Sequence, residues 1–218
     1  MRLFAYMDSD AYQALLRNGR IIGSPEHSGF QDFAPAYGWL SDVMRGRIGQ
    51  APDGCHPGWP VFAWAIRNGL TPLAYDRENE HPKSDEANGA SFLVGFDAPD
   101  GSCLLSDFDD WHYVLNNWFL PSCGSAAEDL AGEVEAFEAL CERRGCDPYR
   151  GEGPPEVESA RRANWERIVD FPDVNGSAQA TLWELKAEWV FLAKARSYSA
   201  VKGMAKPLRT QFNCSQVA

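Results

Sequence analysis

No stretch of this chain approaches the ~18 consecutive apolar residues that a membrane-spanning helix needs, so no span is expected. Met1-Arg-Leu-Phe-Ala-Tyr6 runs into no long apolar segment either, so no signal peptide is expected and the cytoplasm is the expected compartment. Six cysteines are present without a single Cys-x-x-Cys spacing. That pattern argues for reduced thiols rather than a disulfide framework, with Cys141 and Cys146 the nearest pair, separated by a helix end at Gly145. His56 beside Cys55 has no second pair to complete a tetrahedral site, so no metal is expected. Positive charge is scarce: 20 Lys and Arg stand against 31 Asp and Glu, a formal net charge of −11. An acidic surface repels phosphate backbones, which argues against broad nucleic-acid binding. Signature loops are missing as well. No G-x-G-x-x-G follows a strand, and there is no G-x-x-x-x-G-K, G-x-S-x-G, H-E-x-x-H or EF-hand loop. Those absences set aside dinucleotide-fold, P-loop, hydrolase-elbow and zincin chemistry.

What the chain does have is a full complement of core-forming residues, 44% hydrophobic with eight tryptophans. Its 218 residues fit a single domain, 1–218. Strands are expected at 3–7, 20–22, 60–66, 91–96 and 102–105, and helices at 9–17, 33–48 and then 106–170, a helical middle segment. Asp8 or Ser9 caps the first helix and Asn18-Gly19 stops it. Ser106, with Asp109 three residues on, is the expected cap of the first helix in the middle segment. Pro72 to Gly89 reads as a mobile loop. Arg161-Arg162 reads as a solvated helix face. Strands at both ends with helices gathered between them give an α+β fold.

The most informative segment is Gln179-Ala-Thr-Leu-Trp-Glu-Leu-Lys-Ala-Glu-Trp-Val190. Glu184, Lys186 and Glu188 alternate with Leu185, Ala187 and Trp189, which is the period of a strand rather than of a helix. The alternation puts Gln179, Thr181 and Trp183 on one face and Glu184, Lys186 and Glu188 on the other. Gln179 and Thr181 beside a large ring need hydrogen-bond partners or a ligand if they are buried. Lys186 can pair with both glutamates if its face is solvated. Trp64 and Arg67 close the apolar strand at 60–66, where an arginine beside aromatic surface suits a phosphate or carboxylate. Asp109 and His112, three residues apart, suit an acid–base pair or, with Asp107, a metal site.

Several motifs resemble a bacterial family of about 200 residues, the size of a large domain, known only as a domain of unknown function. They are Met44-Arg-Gly-Arg-Ile-Gly49, Trp59-Pro-Val-Phe-Ala-Trp64, Leu105-Ser-Asp-Phe108 with Trp111-His112 and Val114-Leu-Asn116, Trp165 with Ile168, and the 179–190 segment. A remoter resemblance is to small NAD-dependent ADP-ribosyltransferases, which open with a strand and helix ending near a glycine and close with a strand carrying a Gln/Glu-x-Glu element. That resemblance implies an ADP-ribosyltransferase-like two-sheet core and a cleft between the sheets that binds NAD. Thr181 stands where that family's catalytic glutamate is expected, and Tyr6 stands where it has His or Arg.

The leading expectation is a nucleotide- or NAD-binding protein, with an ADP-ribosyltransferase-like glycosyl transfer as its chemistry. Tyr6, Trp64, Arg67, Gln179, Thr181 and Trp183 would bind the cofactor, and Glu184 and His112 would be catalytic. The alternative is a non-catalytic interaction module with a protein partner, for instance in a toxin or defence system, steered by its acidic surface. A metal-dependent enzyme using Asp107, Asp109 and His112 ranks third.

Overall fold

Strand β1 (Arg2–Met7) is buried almost throughout and lies at the centre of a sheet because both of its faces carry apolar side chains. The computed structural model describes residues 1–25, 33–78, 92–120, 127–150, 152–169 and 176–195. Asp8 caps helix α1 (Ser9–Asn18), its Oδ1 accepting from the Ala11 N–H at 2.7 Å, and Gly19 ends it at φ 72°. Then come β2 (Arg20–Ile22), α2 (Ala34–Ile48), β3 (Val61–Ile66) and α3 (Pro72–Glu78). They are followed by β4 (Phe92–Asp97), β5 (Cys103–Asp107) and α4 (Phe108–Leu115). Two long helices follow, α5 (Ala127–Arg144) and α6 (Pro155–Trp165), the latter running into a 3-10 turn at Glu166–Val169. The chain returns as β6 (Ala178–Leu182), β7 (Glu184–Lys186) and β8 (Val190–Ala195).

Six strands form one antiparallel sheet in the order β5-β6-β3-β1-β4-β8, and β2 pairs with β7 in a second, two-stranded sheet. The fold is α+β. On one face of the large sheet, Leu3, Ala5, Met7, Phe92, Val94 and Phe96 meet Tyr12 and Leu15 of α1. Ile21 and Leu185 of the small sheet pack into that same cluster. The space between the two sheets is therefore filled with apolar side chains rather than open as a cleft. The opposite face carries Phe62, Leu104 and Trp183 against Tyr37, Trp39, Leu40, Met44, Trp111, Trp165 and Ile168 of the helices.

Four expectations change. The segment 179–190 is not one strand: it breaks at Trp183, whose ring enters the helical core and whose Nε1 donates to the Gly49 carbonyl at 2.9 Å. Beyond the break, β7 leaves for the small sheet, a 3-10 turn covers Ala187–Trp189, and β8 rejoins the large sheet at its far edge. The pieces serve different sheets: β6 is buried along its whole length, β7 is mostly buried, and β8 runs at the exposed edge. Pro72–Glu78 is helical rather than part of a loop, the proline starting it where its missing N–H costs nothing; the rest of the 72–89 expectation lies outside the described residues. The cap of α4 is Asp107, accepting from the Asp110 N–H at 2.8 Å, one residue after the expected Ser106. Arg161 is fully buried over the Phe137 ring and paired with Glu158, while Arg162 is exposed.

Asn164 of α6 ties the helical layer together. Its Oδ1 accepts from the Leu120 N–H at 2.7 Å and its Nδ2 donates to the Leu120 carbonyl at 2.9 Å, both buried. Trp165 Nε1 donates to the nearby Trp118 carbonyl at 2.6 Å. Removing a buried partner leaves the main-chain groups unsatisfied, at about 1–3 kcal/mol each. Asn164→Ala is therefore expected to lower the unfolding free energy by about 2–4 kcal/mol, read by urea denaturation. A midpoint equal to wild type would show that water replaces the clamp.

Candidate binding face of the large sheet

Directly opposed residues of antiparallel strands project to the same face of a sheet. The register therefore lays Ser106, Gln179, Trp64 and Phe4 in one row and Leu104, Thr181 and Phe62 in the next. Tyr6, two residues beyond Phe4, falls on this face as well. It is the face turned toward α2, α4 and α6, not the one that packs against α1 and the small sheet.

The reversal after β3 adds a cation. Asn68 (φ 50°) and Gly69 (φ 72°) both adopt left-handed backbone, and reciprocal bonds between Arg67 and Leu70 of 2.8 and 3.0 Å close the turn. An Asn-Gly pair suits that geometry because glycine has no Cβ to clash and asparagine tolerates it. Buried Ser177 holds the turn from the far side: its Oγ accepts from the Asn68 N–H at 3.0 Å and donates to Asn68 Oδ1 at 3.0 Å. Fixed at its base, Arg67 lies among rings, its guanidinium carbon 4.2 Å from the centre of Tyr75 on α3, 5.2 Å from Trp64 and 5.3 Å from Tyr6. Each such contact stabilises the cation by about 0.5–2 kcal/mol, the more the less water reaches it. Among the described residues no carboxylate pairs with Arg67.

On the same face of the sheet, two polar groups lie buried without hydrogen-bond partners among the described residues: Gln179 Oε1 and Thr181 Oγ1. Leaving such groups unsatisfied costs about 1–3 kcal/mol each. Trp64, opposite Gln179 in the register, packs on Phe108 with ring centres 4.6 Å apart, and Phe108 meets His112 edge-on at 4.9 Å. His112 is exposed at the rim rather than buried on the apolar stripe of α4. Its Nδ1 lies 3.0 Å from the Phe108 carbonyl. A carbonyl can only accept, so Nδ1 is the donor in this contact and Nε2 is the nitrogen turned away from it.

Sequence reasoning thus named Tyr6, Trp64, Arg67, Gln179 and Thr181, and the fold brings all five to one side of one sheet, with His112 two ring contacts from Trp64. Trp183 shares the parity of Gln179 but is committed to the helical core through Gly49. Glu184 lies elsewhere, on β7. Its Oε2 accepts from Arg20 Nη1 at 2.9 Å and its Oε1 is 3.4 Å from Lys186 Nζ. Arg20 also donates to the Asp53 carbonyl at 2.9 Å, so the group clips the 50–58 loop to the small sheet. Burial, and then the nearby Glu184 charge, push the Cys55 thiol above its ordinary value there, against a smaller opposing effect of Arg20. Asp107 is engaged as a helix cap and Asp109 is exposed; among the described residues no group of three or more His, Cys, Asp or Glu is placed to hold a metal ion. Tyr75 and Ser177 escaped the sequence reading. Tyr75 sat in a segment taken for a loop, and a serine before a strand says nothing about an Asn-Gly turn 109 residues away.

A family model described as a domain of unknown function, DUF3841, matches residues 2–191. No curated protein matches the chain. No helix among the described residues is long and apolar enough to cross a membrane.

The Glu184 cluster has the form of a structural clip, and that form is testable by itself. Glu184 is 9% exposed and Arg20 is 40% exposed, so water screens part of the attraction. Glu184→Gln is expected to cost about 1–2 kcal/mol of stability, less in high salt. Equilibrium unfolding at two salt concentrations measures it, and a variant as stable as wild type in both would mean that the clip is idle.

Proposed function

The chain belongs to this family, whose description assigns no activity, and on that footing we propose that it is a nucleotide-binding protein. NAD is its candidate ligand and the Tyr6, Trp64, Arg67, Gln179 and Thr181 face its site. The observation that carries the reading is Arg67, a guanidinium surrounded by aromatic rings and without a carboxylate partner among the described residues, in a chain of net charge −11. A cation without a carboxylate partner among the described residues favours an anionic ligand, and the planar fork of arginine matches a phosphate. Rings beside it favour a flat heteroaromatic group. The unsatisfied Gln179 Oε1 and Thr181 Oγ1 favour a ligand that brings its own hydrogen-bonding edge. A base, a carboxamide and a phosphate meet all three requirements, and NAD carries all three.

In its enzymatic form the proposal is an ADP-ribosyltransferase-like glycosyl transfer, for which NAD supplies the labile bond between ribose and nicotinamide. This chain's own residues would then orient and hold protons. Arg67 holds the phosphate, Trp64 stacks, and His112 Nε2 accepts a proton at the rim. Glu184 is already bound by Arg20 and Lys186 on the other sheet, so the carboxylate role expected of it requires that clip to open.

Calorimetry with NAD, ADP and AMP tests the binding reading. Arg67→Gln is expected to weaken the affinity at least about tenfold, the loss of about 1.4 kcal/mol, while Glu184→Gln leaves it unchanged. No heat from any of these nucleotides at about millimolar concentration, where binding is worth only about 4 kcal/mol, would sink the reading. Nicotinamide release from NAD separates turnover from binding, with His112→Ala expected to lower it and an unchanged rate removing His112.

A further inference from the structure

Helix α5 ends in a hydrogen-bonded cap that places two cysteines together. Gly145 stands in the left-handed region at φ 68°, its N–H donating to the Glu142 carbonyl at 3.1 Å, and the Cys146 N–H donates to the Cys141 carbonyl at 3.1 Å. This is the Schellman arrangement, in which the residue three before the helix cap and the residue just past the glycine make a side-chain contact. Here those residues are Cys141 and Cys146. The Cys146 Sγ lies 3.6 Å from the Cys141 carbonyl, so the two side chains meet across the cap. Cys141 is fully buried against Phe137 and Val157, whereas Cys146 is half-buried and reachable from solvent. The fully buried Arg161 belongs to the same cluster. Its positive charge acts on the Cys141 thiol, and its Nε and Nη2 have no hydrogen-bond acceptor among the described residues.

We propose that Cys141 and Cys146 form a reversible dithiol–disulfide site that locks the cap of α5, with a low-molecular-weight disulfide such as oxidised glutathione as the oxidant. The Cys146 thiolate attacks one sulfur of the oxidant, forming a mixed disulfide and releasing one glutathione thiolate. The Cys141 thiolate then attacks the Cys146 sulfur, forming the protein disulfide and releasing the second glutathione. Two protein thiols lose two protons and two electrons, and one oxidant disulfide becomes two thiols. The order follows from access, since only Cys146 can meet the oxidant first. Arg161 supplies the cation that favours the Cys141 thiolate in the second step.

Burial first, and then the hydrogen bond and charge of Cys146, push the Cys141 thiol up to about 11. A thiol so reluctant to ionise exchanges slowly at neutral pH. The bridge forms and opens through that thiolate, so exchange in either direction quickens as pH rises. Its closed loop is short, and its stabilising effect is correspondingly modest.

The full chain is incubated with oxidised glutathione, alkylated, cleaved at Arg143 and Arg144, which separate the two cysteines, and sequenced by mass spectrometry. The expected result is a cross-linked species joining Cys141 to Cys146, reversed by dithiothreitol, forming faster as pH rises. Oxidation should raise the thermal midpoint by about 2–4 °C, equivalent to about 1 kcal/mol at this size, and the rise should vanish in Cys146→Ser. Recovery of Cys146 as a stable glutathione adduct with Cys141 alkylated would overturn the proposal. So would pairing of either cysteine with a different partner, or the same thermal shift in Cys146→Ser.

Discussion

The insertion of β6 between β3 and β5 is the constraint on which the other features rest. Ala178–Leu182 is buried along its whole length and paired on both edges, so a one-residue slip would turn Ala180 and Leu182 out of one core and Gln179 and Thr181 into it. With the register held, Gln179 is delivered opposite Trp64, and Ser177 opposite the turn that carries Arg67. The same register ends β6 at Trp183, whose indole is anchored to Gly49 in the helical layer. That anchor is what sends the next residues to the small sheet. The pairing, the placement of the cation and the parting of the two sheets are thus one event.

Polar groups are distributed in two regimes. Glu184, Asp107, Ser177 and Asn164 are buried and satisfied, by Arg20 and Lys186, by a helix N-terminus, by a turn and by a main-chain pair respectively. These groups hold loops and helices in place. Gln179, Thr181 and Arg161 are buried and incompletely satisfied. Unsatisfied buried groups oppose folding, so their presence marks where the chain gives up stability. Two of the three lie on the face that carries Arg67, and the third lies beside the thiol pair. Both places where chemistry is proposed here are places where hydrogen bonding is left incomplete.

Much of the candidate site was legible in the chain before its fold. Strand periodicity around 179–190 separates the Gln179 side from the Glu184 side, and the aromatic strand ending in Arg67 stands out by composition. The preference for Glu184 as the chemical carboxylate came from that same periodicity, read as though the strand were unbroken. Nothing local reports the break, because leucine, tryptophan and glutamate alternate as well across a sheet change as within a strand. Arg161 failed for a related reason: two adjacent arginines on an acidic helix look solvated, and only the packing of α6 on Phe137 shows that one is enclosed.

Local chemistry alone determined the α+β class, the caps of α1, the strand character of each closing piece and the grouping of Gln179 with Thr181. All of these depend on side chains within a few residues of one another, where period, φ preference and capping act. Tertiary structure decided which strands pair, that the space between the sheets is filled, that Glu184 is clipped by Arg20, and that Tyr75 and Ser177 join the Arg67 site. Those outcomes depend on contacts between residues far apart in the chain, 164 positions in the case of Arg20 and Glu184. Only burial and register in the assembled fold can select among such pairings, because no short-range preference distinguishes one distant partner from another.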